Sequence, residues 1–487
     1  MQKHFRWIYF RSVKFALGHQ FYPSLRSGPE LIRNYRLFWF GPRGLYDVNK
    51  CKFAGWHRQE HVAAGKNHYL WTECSILKRR LMNRKYYIAA LLGLSLLSSS
   101  CSNFLDKDPA LSFTEDDVFS SADRMKGAVL GVYSSFKDDF LGSKASVCIE
   151  NIGDDVINVS GNGIEALYSY EMSVGMDTQD NYETWTAAYK TINDANTVLA
   201  NLDSHKDVAG ENYDKYVAEM KFCRALAYYY LNFLYGKPYK ENPNALSVPL
   251  RLEAEATLSG NDLKRSTVNE VLEQVLSDTE DYGKLPSGGA SYDGITRASQ
   301  GAALMLRMRA YMEMENFPKA IEAGEAIKGY SLAANVKEPF ASSSSCVESI
   351  FSFPMSTSDN GGGMQVSVPY FYYSGNSVVV DATSGIHSPL YPAYDLPADA
   401  RVSELEKGPE SKRILTKYTD GSNYLDWVPI FRYAETLLDL AECYAKEGDE
   451  EKAAECLSAV RHRSVPVSAD VLDLTALHGA DLLQAIY

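Results

Sequence analysis

The sequence predicts a mainly α-helical fold in which a scaffold of helical repeats carries a long irregular region with short strands. Three observations support this prediction. Apolar residues recur with the helical period in four stretches between residues 121 and 282. Two further helical pairs resemble one another at a fixed offset of 133 residues. Between those pairs, residues 341–430 are rich in Ser, Gly, Pro and Tyr, a composition typical of loops.

Residues 82–101, MNRKYYIAALLGLSLLSSSC, have the parts of a bacterial lipoprotein signal peptide. A basic pair, Arg84 and Lys85, precedes an apolar stretch that is too short to span a bilayer, and three serines then precede a cysteine. We therefore expect residues 82–100 to be removed by a signal peptidase. Cys101 would become the lipidated first residue of the mature chain.

Residues 1–81 are predicted to be an upstream extension outside the fold, because an export signal works at an N-terminus and translation would then start at Met82. The segment has 15 Lys or Arg against 4 Asp or Glu, and four of the six tryptophans. The alternatives are a nucleic-acid-binding arm and a zinc helix built on His57 and His61. The HExxH order and paired cysteines that would support zinc are missing, which favours the upstream extension.

The 387 residues from Cys101 onward carry 32 Lys or Arg and 58 Asp or Glu, a net charge of −26. Nucleic-acid phosphates repel so acidic a chain, and no nucleic-acid partner is expected. No later apolar run approaches the roughly 20 residues of a membrane span, so the lipid is predicted to be the only anchor. The other cysteines of this part lack paired spacing, and no disulfide framework is predicted.

Amphipathic helices are predicted first at 121–138, 181–202, 211–235 and 267–282. Ser121 is a plausible N-cap of the first helix, and Gly236 followed by Pro238 ends the third. Asn196 interrupts the apolar face of the second. It is interpreted as a buried amide that bonds to a neighbouring backbone, because buried polar groups are usually paired.

The two helical pairs at the fixed offset begin with AYMEMENFPKAI at Ala310 and CYAKEGDEEKAA at Cys443. Each has a first helix with small and aromatic residues, a turn at Asn316 or Gly448, and a second helix that opens with proline or acidic residues. This is the tetratricopeptide pattern, in which small residues let paired helices approach closely.

The irregular region between the pairs contains strand-like runs, SIFSFPM and SVVVDA, separated by the turn cluster SDNGGG. Long loops on a rigid scaffold are where binding residues tend to lie. We therefore expect the binding site of this chain in residues 341–430 and in the loops that adjoin them.

Several segments together resemble the SusD/RagB-like outer-membrane glycan-binding lipoproteins of Bacteroidetes. They are CSNFLDKDP, WTAAYKTINDANTVL, AEMKFCRALAYYYLNFLYGKP and FRYAETLLDLAECYAKEGDEEKAAECLSAVRHRS, and they occur in the family's order over nearly all of residues 101–487. The resemblance implies a single SusD-like α superhelix that is anchored to the outer membrane and exposed at the cell surface. It also implies a nutrient-uptake role, in which the protein captures oligosaccharide or polysaccharide and delivers it to a SusC-like TonB-dependent transporter. No metal or cofactor is expected.

Two other classes of function were weighed. An enzyme has little support, because the mature chain shows no GxSxG elbow, P-loop or HExxH motif. Adjacent carboxylates such as Asp154 and Asp155 are usually a solvated loop and do not by themselves indicate a glycosidase. A tetratricopeptide-type scaffold or adhesin that binds protein without glycan remains the alternative.

Aromatic side chains offer the flat apolar surface that the C–H faces of sugar rings require. The candidates for glycan binding are Tyr168, Tyr170, Tyr182, Tyr370, Tyr372, Tyr373 and Trp427. If residues 370–373 are extended, alternate side chains face opposite ways and at least one aromatic ring is exposed. Trp427 is interpreted as either a lid aromatic or a core residue. Trp185 lies on the apolar stripe of its helix and is expected in the core.

The sequence ends in GADLLQAIY, the start of an amphipathic helix that stops after barely two turns. So short a helix is unstable alone. The resemblance implies that such a helix continues into a further region that packs back on the scaffold. We therefore expect the chain to be incomplete at its C-terminus and poorly soluble as it stands.

Overall fold

A computed structural model describes most of the chain from residue 115 onward. The described residues are 38–41, 44–47, 115–137, 140–143, 145–147, 149, 157–158, 175, 179–255, 262–359, 367–373, 377–381, 386–387, 398–401, 406–408, 412–470 and 472–487. The chain divides into two compact units, a smaller one that contains the described residues 38–41 and 44–47 and a larger one that contains the described residues from 115 onward. The predicted signal peptide and Cys101 lie outside the described residues.

In the smaller unit the structure describes an antiparallel hairpin of β1 (Phe38–Gly41) and β2 (Gly44–Asp47), with Gly41 opposite Gly44. The sequence analysis placed this segment outside the fold and did not predict the hairpin.

The larger unit is built mainly from helices. Their bounds are α1 (Glu115–Val118), α2 (Ala122–Ser135), α3 (Gln179–Ser204), α4 (Lys206–Ala209), α5 (Tyr213–Tyr235), α6 (Val268–Asp278), α7 (Tyr292–Thr296), α8 (Gln300–Glu313), α9 (Phe317–Glu325), α10 (Val368–Tyr373), α11 (Tyr433–Glu447), α12 (Glu450–Ser464) and α13 (Gly479–Ile486). The mainly α prediction is confirmed.

The four helices predicted between residues 121 and 282 are α2, α3, α5 and α6. Ser121 is the N-cap of α2, as predicted, and accepts a hydrogen bond from the Arg124 backbone N–H. Thr267 and Glu270 form a capping box that starts α6, and Gly236 ends α5. The helix α5 packs against both α3 and α6, with the phenol of Tyr228 fully buried among them.

The predicted helical pairs are α8–α9 and α11–α12. Asn316 caps α9 ahead of a proline in its first turn, and Gly448 ends α11 in the left-handed region with φ of 84°. Gly324 lies where α9 crosses its neighbours, since a Cβ there would stand 2.9 Å from atoms of Met308 on α8 and Leu440 on α11. The close approach that tetratricopeptide-like repeats need is therefore present.

A buried polar cluster ties α3, α5 and α6 together. The Arg224 guanidinium donates to both carboxylate oxygens of Asp278, at 2.8 and 2.6 Å, and to the side-chain oxygen of Asn196 at 2.7 Å. The Asn196 amide donates to the backbone carbonyls of Arg251 and Glu253. Asn196 is therefore the buried, backbone-bonded amide that the sequence predicted.

The strands of the larger unit are short. They are β3 (Ile157–Asn158), β4 (Ser349–Phe353), β5 (Ser377–Asp381), β6 (Ile386–His387), β7 (Glu406–Lys407), β8 (Lys412–Leu415) and β9 (Val428–Arg432). β4 pairs with β9, while the others form a small antiparallel sheet in the order β3-β5-β8-β7 with β6 also beside β5. β4 and β5 are the strands predicted from SIFSFPM and SVVVDA.

The segment at 368–373 is helical, so the expectation of an extended run at 370–373 is wrong. In the helix α10, Val368, Phe371 and Tyr372 follow the spacing i, i+3, i+4 and are buried, while Tyr370 is half-buried. Burial of one helical face against the core outweighs the strand preference of consecutive aromatic residues.

The last helix, α13, packs against α11 and α12. It buries Leu482 and Ile486, and the Tyr487 hydroxyl donates to the Glu442 carboxylate at 2.7 Å. Among the described helices, none has a stretch long and apolar enough to cross a bilayer.

Candidate functional site

The structure separates the predicted glycan-binding residues into different environments. Tyr168 and Tyr170 lie outside the described residues, and for Tyr373 only the backbone, in α10, is described. Tyr182 stands in the first turns of α3 with 66% of its surface exposed. Its position fits a binding surface, and its role stays a prediction.

Trp185, one turn after Tyr182, is half-buried and packs against the core without being enclosed in it. Its ring centroid lies 4.9 Å from that of Tyr189 and 5.0 Å from that of Tyr235. The Tyr235 hydroxyl in turn donates to the backbone carbonyl of Asn181, which fixes the start of α3 against α5.

Tyr372 was among the candidates, but only 2% of its surface is exposed. Its ring packs edge-on against Tyr418 at 5.3 Å, and the Lys417 ammonium lies 5.2 Å from its centroid. A ring so enclosed cannot stack on a sugar, so Tyr372 is removed from the candidate site. Helical rather than extended geometry at this segment is the cause.

Four aromatic side chains form what we call the aromatic surface: Tyr292, Tyr370, Tyr424 and Trp427. They form two edge-to-face pairs, and one member of each pair, Tyr424 or Trp427, lies on the same loop. Tyr370 meets Tyr424 at 5.1 Å with an interplanar angle of 84°, and Tyr292 meets Trp427 at 5.7 Å with an angle of 80°. Tyr292 is 55% exposed and the other three are half-buried.

Two of these residues, Tyr292 and Tyr424, were missed by the sequence analysis. Tyr424 lies only three residues before the candidate Trp427, within the turn sequence TDGSNYLDW. Tyr292 follows the Gly-rich run SGGAS, which marks a loop. These turn contexts were the available signals, but neither indicates which distant ring each tyrosine meets.

The loop 418–427, which carries Tyr424 and Trp427, is held by two carboxylates. Asp426 accepts backbone N–H bonds from Thr419 and Asp420, at 2.7 and 2.8 Å. Asp420 accepts three more, from the backbone N–H groups of residues 422, 423 and 425. Desolvation raises the pKa of Asp420, but these hydrogen bonds to the charged form outweigh it and leave the pKa below its ordinary value.

Tyr292 is the first residue of α7, and this helix is held in place at its other end. Arg297, directly after that helix, donates to both carboxylate oxygens of the buried Glu219 at 2.8 Å. The Tyr133 hydroxyl donates to the same carboxylate and accepts the Ala298 backbone N–H at 2.9 Å. The start of α8 and the helix that presents Tyr292 are thereby fixed to α2 and α5.

The aromatic surface can stack on the apolar C–H faces of pyranose rings, because in an edge-to-face pair the ring that presents its edge does not cover its own faces with its partner. Within the ranges that the structure describes, no group of His, Cys, Asp or Glu side chains has the arrangement of a metal site. The chemistry that the described geometry offers is recognition of a flat, partly apolar molecule.

Two family models match the chain. One, described as SusD-like, starch-binding and associating with the outer membrane, matches residues 103–312, and the SusD family model matches residues 397–468. A SusD-like protein of Formosa agariphila, P25, is 28% identical over 229 residues, which are 45% of this chain and 41% of that protein. The chain spans less than half the length of the curated relatives that it matches.

The fold of this chain is also similar to solved structures. A SusD superfamily protein from Bacteroides fragilis is 46% identical, with a TM-score of 0.71, and the match covers 76% of this chain and 86% of that one. A SusD superfamily protein from Bacteroides thetaiotaomicron has a TM-score of 0.63 at 21% identity, covering 75% of this chain and 85% of that one. The extent and identity of the first match, together with the two family models, show that this chain belongs to the SusD family.

Proposed function

We propose that the protein is a cell-surface glycan-binding lipoprotein of the outer membrane. It captures oligosaccharide or polysaccharide without cleaving it and delivers it to a SusC-like TonB-dependent transporter. The observation that carries the binding part is the edge-to-face pair of Tyr292, which is exposed at the start of α7, and Trp427, which is half-buried on a loop held by hydrogen bonds to Asp426. Family membership supports the location and the partner.

The energetics favour weak, extended recognition. An aromatic ring left more than half exposed, as Tyr292 is, forfeits much of the stabilisation that burial would give it. Stacking on sugar recovers only a small part per ring, since aromatic contacts contribute about 0.5–1.5 kcal/mol beyond area burial. The expected affinity for a polysaccharide is therefore about micromolar or weaker.

The binding experiment uses the full chain and immobilised starch, xylan, galactomannan, dextran and mucin glycans. We expect retention on at least one of these, without release of reducing ends. Trp427→Ala and Tyr292→Ala should each weaken retention about tenfold, given the contribution of one stacked ring. Trp185→Phe, a conservative change of a half-buried ring that packs on Tyr189 and Tyr235 away from the aromatic surface, is the control and should leave retention unchanged.

The outcomes separate the possible readings. Loss of retention in Tyr182→Ala, with Trp427→Ala unaffected, would move the site to the start of α3. Retention on none of the polysaccharides would reject glycan binding and favour the protein-binding scaffold. Release of reducing ends would reject the non-catalytic proposal.

The anchor is tested separately. Expressed from Met82 in a Bacteroidetes host, the protein should incorporate labelled fatty acid and fractionate with the outer membrane, and Cys101→Ala should abolish incorporation. Label that persists in Cys101→Ala would disprove the assignment of the lipid to this cysteine.

A further inference from the structure

We propose that Asp426, together with Ser342, is a positioning residue for the aromatic surface, which it serves by holding the loop 418–427 in one conformation before any glycan arrives. This inference rests on the proposed glycan-binding function. It concerns a carboxylate whose surface is almost entirely buried and which therefore acts through Tyr424 and Trp427.

Asp426 organises the loop from inside. Only 6% of its surface is exposed. One carboxylate oxygen accepts the backbone N–H groups of Thr419 and Asp420, and the other lies 3.3 Å from the Ser342 hydroxyl. A buried carboxylate that accepts several charge-assisted hydrogen bonds fixes the atoms around it more firmly than neutral groups would.

Ser342 extends this support to Trp427. Its hydroxyl oxygen accepts the backbone N–H of Trp427 at 3.2 Å and lies 3.4 Å from the Leu425 carbonyl. Ser342 is 85 residues away in sequence from Trp427. The hydroxyl therefore joins the loop to a separate part of the chain, beside the short helical turn that ends at Phe340.

Tyr424 depends on Asp426 through Asp420, whose backbone N–H donates to the Asp426 carboxylate at 2.8 Å. The φ of 57° at Tyr424 lies in the left-handed region, which is rare for a bulky side chain. The backbone on both sides of Tyr424 is hydrogen-bonded, because the Asp420 carboxylate accepts the N–H groups of Asn423 and Leu425 at 3.0 and 3.1 Å. The strained conformation directs the Tyr424 ring against Tyr370.

The consequence is entropic. Each loop residue that must be ordered on binding reduces affinity, because fixing its backbone costs conformational entropy. A loop that is already fixed avoids that cost, so weak stacking contacts suffice for measurable binding. Loosening the loop should weaken glycan binding even though every stacking ring is retained.

The test compares Asp426→Ala, Asp426→Asn and Ser342→Ala in the full chain. Hydrogen exchange is measured for the backbone amides of residues 419–427. Retention of each variant is measured on the polysaccharide that binds the wild-type chain best. Asp426→Ala should speed exchange of these amides at least about tenfold and weaken retention about tenfold. Asp426→Asn, which keeps one acceptor oxygen, should retain most of the slow amide exchange and most of the polysaccharide binding. Ser342→Ala should lose less of both than Asp426→Ala does.

Asp470→Ala is the matched control. Asp470 likewise accepts a backbone N–H, from Leu472 at 3.1 Å, and pairs with Arg461, but in a turn outside the aromatic surface. It should speed exchange in its own turn and leave retention unchanged. By calorimetry, the loss in Asp426→Ala should lie mainly in the entropy of binding.

Two results would overturn the inference. If Asp426→Ala speeds amide exchange but leaves retention at the wild-type level while Trp427→Ala weakens it, the positioning role is wrong and the glycan site stands. If both variants and Tyr292→Ala bind as the wild type does, the proposed site itself fails, and the inference fails with it.

Discussion

Replacing Glu313 with Gln is expected to stabilise the protein at alkaline pH and to leave it unchanged at acidic pH. Glu313 ends α8 and is buried, which raises its pKa from 4.5 to about 8, although a hydrogen bond from the Asn232 amide at 3.0 Å opposes the shift. The second carboxylate oxygen of Glu313 has no hydrogen-bond partner among the described residues. At neutral pH the folded protein therefore holds Glu313 protonated.

The sign follows from proton linkage. Between about pH 4.5 and 8 the folded state binds a proton at Glu313 that the unfolded chain has already released. The stabilising contribution is fully present below the unfolded pKa and is lost as the pH rises through the folded one. At about 1.4 kcal/mol per pH unit, the free energy of unfolding falls by at most about 4 kcal/mol between pH 5 and pH 8.

A glutamine cannot ionise in either state and keeps the oxygen that accepts from Asn232. Glu313→Gln should therefore match the wild type near pH 5 and exceed its free energy of unfolding by about 2–4 kcal/mol at pH 8. Other buried acids, Asp439 among them, also have raised pKa values, but they are common to both proteins and cancel in the difference.

The assay is urea unfolding followed by far-ultraviolet circular dichroism across this pH range. Glu315→Gln is the matched control, because Glu315 is exposed and pairs only across the surface with Lys240 at 3.0 Å. Its unfolding free energy should follow the wild type at every pH. Parallel curves for Glu313→Gln and the wild type, offset by a constant, would refute the reasoning about Glu313.

Two further changes test the packing of the scaffold. Asp278→Ala should lower the free energy of unfolding in urea by about 3–5 kcal/mol, because it leaves the Arg224 charge buried without its carboxylate. Asp281→Ala, at an exposed carboxylate, should lower it by less than about 1 kcal/mol. Equal losses in the two variants would contradict the importance of the buried pair. Gly324→Ala should cost about 1–3 kcal/mol by overpacking the helix crossing, and Gly131→Ala, whose Cβ would meet nothing within 4 Å, should be neutral or stabilising by up to about 1 kcal/mol. A thermally unchanged Gly324→Ala would show that the crossing can relax.

The helical frame could be predicted from the sequence because its information is local. Ser121, Gly236, Asn316 and Gly448 mark helix ends through their own backbone and capping chemistry, and the structure confirms each of them. The small residues of the repeated pairs, and the role of Asn196 as a buried amide, also follow from position along one helix.

The aromatic surface could be predicted only in part. Trp427 and Tyr370 stood out as aromatics in a loop-rich region, but Tyr372, two residues further on, is enclosed by Tyr418 because the segment is a helix. Nothing local to Tyr292 indicates that it meets Trp427. That contact depends on how α7 and the loop 418–427 are held by residues elsewhere in the chain.

The sequence by itself thus determined the helices, their ends, the repeated pairs and the family, since periodicity and capping act within a few residues. The tertiary structure alone decided which rings are exposed and which pair with which, because a ring's burial depends on surfaces contributed by distant segments. It also decided that Asp426 lies inside the loop, where its carboxylate accepts hydrogen bonds from the backbone N–H groups of Thr419 and Asp420. The turn sequence alone does not predict which backbone groups this carboxylate meets.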